Sequence, residues 1–192
     1  MSGPGEIELS REVAKSFAAR ITKALVGFGG AIAFARLLGP TDYGGFYLMM
    51  AILGVVKTPY ESVMSSTKKR FAEERTDPSE LFGLTLLAIA TILGIVLIGL
   101  WIAGGRLRTL TGINGVAVMF VAVLLPMITF SGVQQLLTAG GKVGLANWIA
   151  TLQTIGTLVF RLALILGGLG VLGMGYGLAI SAGLTAMLSY YF

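Results

Sequence analysis

Residues 109–141 read TLTGINGVAVMFVAVLLPMITFSGVQQLLTAGG, 33 residues without one charged side chain. About 20 apolar residues in a helix cross the hydrocarbon core of a bilayer. A soluble helix needs a wet face, which so long an uncharged run does not supply. Three more such runs surround it: 81–105, 143–160 and 162–192, of 25, 18 and 31 residues. Charged residues make up 12% of the 192, against about 25% in soluble domains, and apolar residues 55%. The chain therefore reads as an all-α integral membrane protein.

The composition also excludes classes of function. There is no cysteine and no histidine, hence no disulfide framework, no thiolate chemistry and no imidazole ligand or proton shuttle. No metal-ligand spacing, no nucleophile with a histidine base and no P-loop is present. The expectation is a non-enzyme without cofactor or metal. The net charge of +5 is scattered at segment ends, which suits membrane topology and not nucleic acid.

Six spans are expected, at about 16–38, 43–66, 81–103, 113–139, 143–166 and 172–192, behind a cytoplasmic or interfacial segment 1–15. Gly39-Pro40 closes the first, since proline cannot continue the hydrogen-bond ladder. The second continues into water through the charged residues 67–75, and Asp77-Pro78-Ser79-Glu80 starts the next helix. Gly104-Gly105 with 106–112 reads as a loop, and Gly140-Gly141-Lys142 as a tight turn. Pro59 and Pro126 fall inside the second and fourth spans, as plain kinks or as joints at a cavity. A cleavable signal peptide fits poorly, because Glu6, Glu8 and Glu12 make the leading region partly acidic.

With the N-terminus in the cytoplasm, ten basic residues fall on inner segments, among them Lys68, Lys69, Arg70 and Lys142. Only Arg36, Arg106 and Arg108 fall outside. Lysine and arginine flanks resist translocation, so the expectation is a multi-pass protein of the cell membrane with both termini inside. The chain ends at Phe192 with no tail, which reads as an abrupt stop.

Gly168–Gly173 matches G-x-G-x-x-G, but a dinucleotide site needs an acidic residue about 20 positions on. None follows Glu80. A tight glycine corner is the better reading, with Gly173 and Gly177 forming a G-x-x-x-G face. Asn114, Gln134, Gln135, Asn147 and Gln153 read as helix-end or inter-helix hydrogen-bonding groups.

Charges inside spans carry most of the functional signal. A cation at bilayer depth costs about 2.5–3.5 kcal/mol on insertion scales unless relieved. Arg20 and Lys23 share a face of the first span, Lys57 and Glu61 a face of the second, and Arg161 lies in the outer part of the fifth. Arg20 and Arg161 could snorkel to headgroups. Lys57 sits about 21 Å of helical rise from the outer start of its span. It could pair with Glu61, or it could face a water-filled cavity.

The stretch Ala35-Arg36-Leu37-Leu38-Gly39-Pro40-Thr41-Asp42-Tyr43-Gly44-Gly45-Phe46 resembles a signature that follows the first helix in polysaccharide flippases. These belong to the multidrug/oligosaccharidyl-lipid/polysaccharide exporter superfamily. The basic segment 67–74, Gly140-Gly141-Lys142 and an arginine before a glycine corner are similar too. The resemblance implies a six-transmembrane-helix bundle, the N-terminal lobe of a fold of about 12–14 helices. It implies a transporter that flips a lipid-linked saccharide to the outer leaflet by alternating access, with cations in its cavity. The substrate-binding candidates are then Lys57, Lys23, Arg20 and Arg161. The implied partners are a lipid-linked anionic saccharide, membrane lipids and a missing C-terminal lobe in cis or in trans. The alternatives are half of a multidrug antiporter, for which Glu61 is the sole candidate carboxylate, or a non-transporting membrane subunit.

Overall fold

A computed structural model of the protein describes residues 4–72, 78–139 and 141–190. Among them the structure is all helix: α1 (Pro4–Ala72), α2 (Pro78–Thr111), α3 (Val116–Ala139), α4 (Val143–Leu164) and α5 (Gly170–Tyr190), with a π-turn Ile165–Leu169 between the last two. Four helical stretches are long and apolar enough to cross a membrane, not the six expected: Ala24–Ser66, Ile89–Thr111, Val116–Thr138 and Val143–Ser189. The difference lies at two junctions. The first two expected spans run on as one element whose only interruption is Gly39, at φ 78 and ψ 167. That backbone region is open essentially to glycine alone. The last two run on through the π-turn, where Gly168 and Gly170 take positive φ. These are two glycines of the G-x-G-x-x-G stretch, so that motif is a corner.

The chain reverses at Gly39. The arm before it runs beside α4 in the same direction, Gly30 against Leu158 and Phe34 against Arg161. The arm after it runs beside α3, with Gly45 against Thr111 at one end and Tyr60 against Gly132 towards the other. Helix α5 runs with α3, from Gly175 at Met119 to the groove that Gly183 and Ala186 share with Leu125 and Thr129. It runs against α4, from Gly173 at Ile165 to Ser181 at Gly156. The two arms of α1 are therefore antiparallel.

The expected loop at 104–112 is a correction. α2 continues through Gly104 and Gly105 to Thr111, carrying Arg106 and Arg108 on helix. A helical glycine costs only about 1 kcal/mol. The helix stops instead at Gly112, whose φ is 69 and whose N–H donates to the Arg108 carbonyl at 2.9 Å, an αL cap. The turn after α3 is a Schellman motif: Gly141 N–H donates to Thr138 O and Lys142 N–H to Leu137 O. Pro59 and Pro126 lie inside α1 and α3 without a non-helical residue beside them. Residues 73–77 lie outside the described residues, so the water-exposed end of the second expected span is seen only to Ala72.

The outside of the bundle is greasy. Trp101 is 88% exposed, and Phe28, Ile102, Leu152 and Met187 are exposed too. Such a surface belongs in lipid, so the protein is a helical membrane protein. The interior holds Phe46, Met49, Leu53, Tyr60, Met119, Val123, Leu124 and Met174. Helices close on one another where glycine removes a side chain, as expected where lipid supplies no hydrophobic drive between helices. A Cβ on Gly177 would lie 2.6 Å from the Arg161 main-chain nitrogen, whereas one on Gly183 would meet nothing within 4 Å. Gly177→Ala should therefore push α5 off α4 and destabilise the protein by about 1–3 kcal/mol. Gly183→Ala should be neutral or slightly stabilising, as thermal unfolding in detergent followed by tryptophan fluorescence will show.

Candidate functional site

The second arm of α1 carries a polar face at membrane depth. Gly54, Thr58, the adjacent pair Glu61 and Ser62, and Ser65 are all exposed there, on successive turns of one face. The hydroxyls of Thr58, Ser62 and Ser66 donate to the carbonyls four residues back, which leaves their lone pairs outward. Beside this stripe the Lys57 ammonium donates to Glu61 at 2.8 Å, the two side chains being 16% and 50% exposed. Hydrocarbon does not solvate such a face; water or protein does.

The hairpin register relates this face to the first arm. Phe34 and Phe46 both pack on Arg161, whose Cζ lies 6.0 and 5.1 Å from the two ring centroids. From these two residues, equal steps away from Gly39 reach positions 23 and 57 together. The backbone of Lys23 is thus level with Lys57, about 16 Å along the helices from the Arg161 level. Arg20 falls about one turn beyond. The side chains of Arg20 and Lys23 lie outside the described residues.

Arg161 is placed apart from the other three candidates. Its Nε donates to the Met174 carbonyl of α5 at 3.0 Å. It therefore touches both arms of α1, its own helix and α5. It also closes one end of a cleft of about 200 Å³ between the first arm and α4. Gly27, Gly30 and Phe34 line one wall, and Gln153, Thr154, Thr157 and Arg161 the other, with Tyr47 at the rim. The Thr154 and Thr157 hydroxyls donate to Ala150 O and Gln153 O within α4. Gln153 is expected from the sequence as an inter-helix hydrogen-bonding group. Its main-chain oxygen does accept from Ser181 at 2.8 Å, but the residue also lines the cleft. The available signal was Gln153, Thr157 and Arg161 at intervals of four, one polar stripe on an otherwise apolar helix.

Over 119 residues, 62% of this chain, the sequence is 24% identical to a Haloferax volcanii protein named "Probable low-salt glycan biosynthesis flippase Agl15". The match spans 25% of that relative's length. No family model matches the chain, and no solved structure matches it.

An ion pair four residues apart on a helix, with its carboxylate half-exposed, contributes only about 0.3–0.5 kcal/mol. Glu61→Gln should therefore leave the thermal midpoint in detergent within about 2 °C of the parent, by the usual conversion for domains of this size. A larger fall would make the pair a structural support.

Proposed function

We propose that the chain is one lobe of a membrane transporter that carries a lipid-linked anionic saccharide from the cytoplasmic to the outer leaflet. The single observation behind this reading is the exposed polar stripe around Lys57, level with Lys23. A charged face at bilayer depth needs water or a second protein surface over it. A cavity between two lobes provides both. The kinship of sequence with a protein named as a glycan biosynthesis flippase supports the same reading.

The two arms of α1, α2, α3, α4 and α5 are then six crossings, with both ends of the chain cytoplasmic. A second lobe in cis or in trans covers the stripe. Lys57 and Lys23, with Arg20 one turn further in, meet the phosphates of the substrate. Cations in a low-dielectric cleft attract an anion more strongly than in bulk water. They also shed part of their own burial penalty when it binds. Glu61 holds Lys57 until the substrate competes for it. Lysine suits this exchange, being a mobile point charge and not a fixed fork.

Topology is tested on this cysteine-free chain with single cysteines. Arg70→Cys should react with an impermeant maleimide only from the cytoplasmic side, and Arg108→Cys only from outside. Labelling of both from one side would overturn the six-crossing reading.

Transport is tested by the amount of lectin-accessible lipid-linked saccharide on cells that express the gene product. Lys57→Ala removes one charge-assisted contact, worth about 1.5–3 kcal/mol. It should lower the signal about tenfold to a hundredfold, whereas Glu61→Gln should retain most of it. Full activity in a Lys57→Ala, Glu61→Ala double variant would make the pair structural and remove Lys57 from the site.

A further inference from the structure

We propose that the cleft between the first arm of α1 and α4 is a separate anion site, in which Arg161 binds a phosphate group on a lipid. Four observations converge on it. First, the guanidinium has donors to spare. Of its five N–H groups, the one on Nε is used, on the Met174 carbonyl. Among the described residues, no side-chain nitrogen or oxygen is both sealed from solvent and without a partner. The terminal nitrogens are therefore not sealed off, and Arg161 lines this cleft.

Second, among the described residues no carboxylate pairs with Arg161. No acidic residue follows Glu80 in the sequence, and no carboxylate lines the cleft. The faces of Phe34 and Phe46 and the Met174 carbonyl offset the cost of burial, but they leave a full positive charge. Arginine keeps that charge at any physiological pH. An anion completes the site.

Third, the lining suits a phosphate ester. Gln153 and Tyr47, which also line the cleft, are side chains that can donate hydrogen bonds. Val26, Ala31, Leu158 and Leu178 supply an apolar wall for the stem of a lipid. A volume of about 200 Å³ is below the 300–1,000 Å³ of sites that enclose drug-sized ligands. It admits a headgroup and not a whole saccharide carrier.

Fourth, the cleft is distinct from the Lys57 stripe. Arg161 lies about 16 Å along the helices from the Lys57 level, and neither Lys57 nor Glu61 lines the cleft. Either can fail without the other, and this inference does not rest on the transport reading.

The experiment is native mass spectrometry of the full chain released from detergent, with phosphatidic acid or phosphatidylcholine added. The parent should retain phosphatidic acid at least about tenfold better, which is 1.4 kcal/mol. Arg161→Gln should abolish that preference, and Arg161→Lys should keep part of it. Because Arg161→Gln also removes the carbonyl bond and the ring contacts, a second variant leaves Arg161 alone. Gly27→Leu fills the cleft from its opposite wall, where a Cβ meets nothing within 4 Å. It should lose the preference about tenfold with no fall in thermal midpoint. Inorganic phosphate competing at millimolar concentration in the parent, and not in Arg161→Gln, would assign the same site to a soluble phosphate. Equal retention of the two lipids by the parent without phosphate competition overturns the proposal. So does a preference that survives Gly27→Leu, in which case Arg161 is only a structural link between helices.

Discussion

Close approach of helix backbones at glycine is the constraint on which the remaining structure depends. In lipid, water does not drive one apolar helix onto another, so packing and hydrogen bonds must do so. Gly45 lets the second arm of α1 meet the end of α2 at the Thr111 carbonyl. Gly132 receives the Tyr60 ring, and Gly175 receives Met119. Gly173 and Gly177 bring α5 onto the backbone of α4 at Leu164 and Arg161. The last contact reaches into the chemistry. With α5 that close, the Met174 carbonyl comes within reach of the Arg161 Nε, and the guanidinium is aimed at the two phenylalanines. A glycine on one helix thus sets the position of a cation on its neighbour.

The two cation levels solve the same electrostatic problem differently. Insertion of a cation at depth costs about 2.5–3.5 kcal/mol. At Arg161 the relief comes from two ring faces, each worth about 0.5–2 kcal/mol, and from one carbonyl bond. Relief of this kind fixes the geometry, because the planar guanidinium must hold both rings and the carbonyl at once. At Lys57 the relief comes from Glu61, half-exposed on the next turn. That partner can be exchanged, since an ammonium on a flexible stem can leave one anion for another at little cost.

Much of this was legible in the sequence, for physical reasons that can be named. Charge-free runs marked the membrane class, because lipid excludes charge over a fixed length. Gly39-Pro40 marked a break, because the proline removes a donor and the glycine tolerates φ 78. The break proved to be a single residue, so the chain turns without leaving helix on either side. Gly104-Gly105 misled, because glycine is tolerated inside a helix and ends one only where positive φ is adopted, here at Gly112. The Lys57–Glu61 pair was one of the two readings that the sequence left open, since a spacing of four brings the ends of such side chains together. The cleft was not legible. Its walls come from two helices more than a hundred residues apart in the chain, and threonines on a membrane helix look like ordinary self-satisfied hydroxyls.

The packing along α1 sets how its two arms are held together. Among the described residues of α1, the buried ones begin at Gly30 and continue through Phe34, Gly45, Phe46, Met49 and Leu53 to Tyr60 and Met64. Before Gly30 the described residues of the first arm are nearly all exposed, including Phe17, Ile21, Leu25 and Phe28. At the Gly39 end, Arg161 holds both halves of the hairpin. The second arm stays packed on α3 past Lys57, with Tyr60 against Gly132. The packed end of the hairpin thus fixes the register that brings the backbones of positions 23 and 57 level.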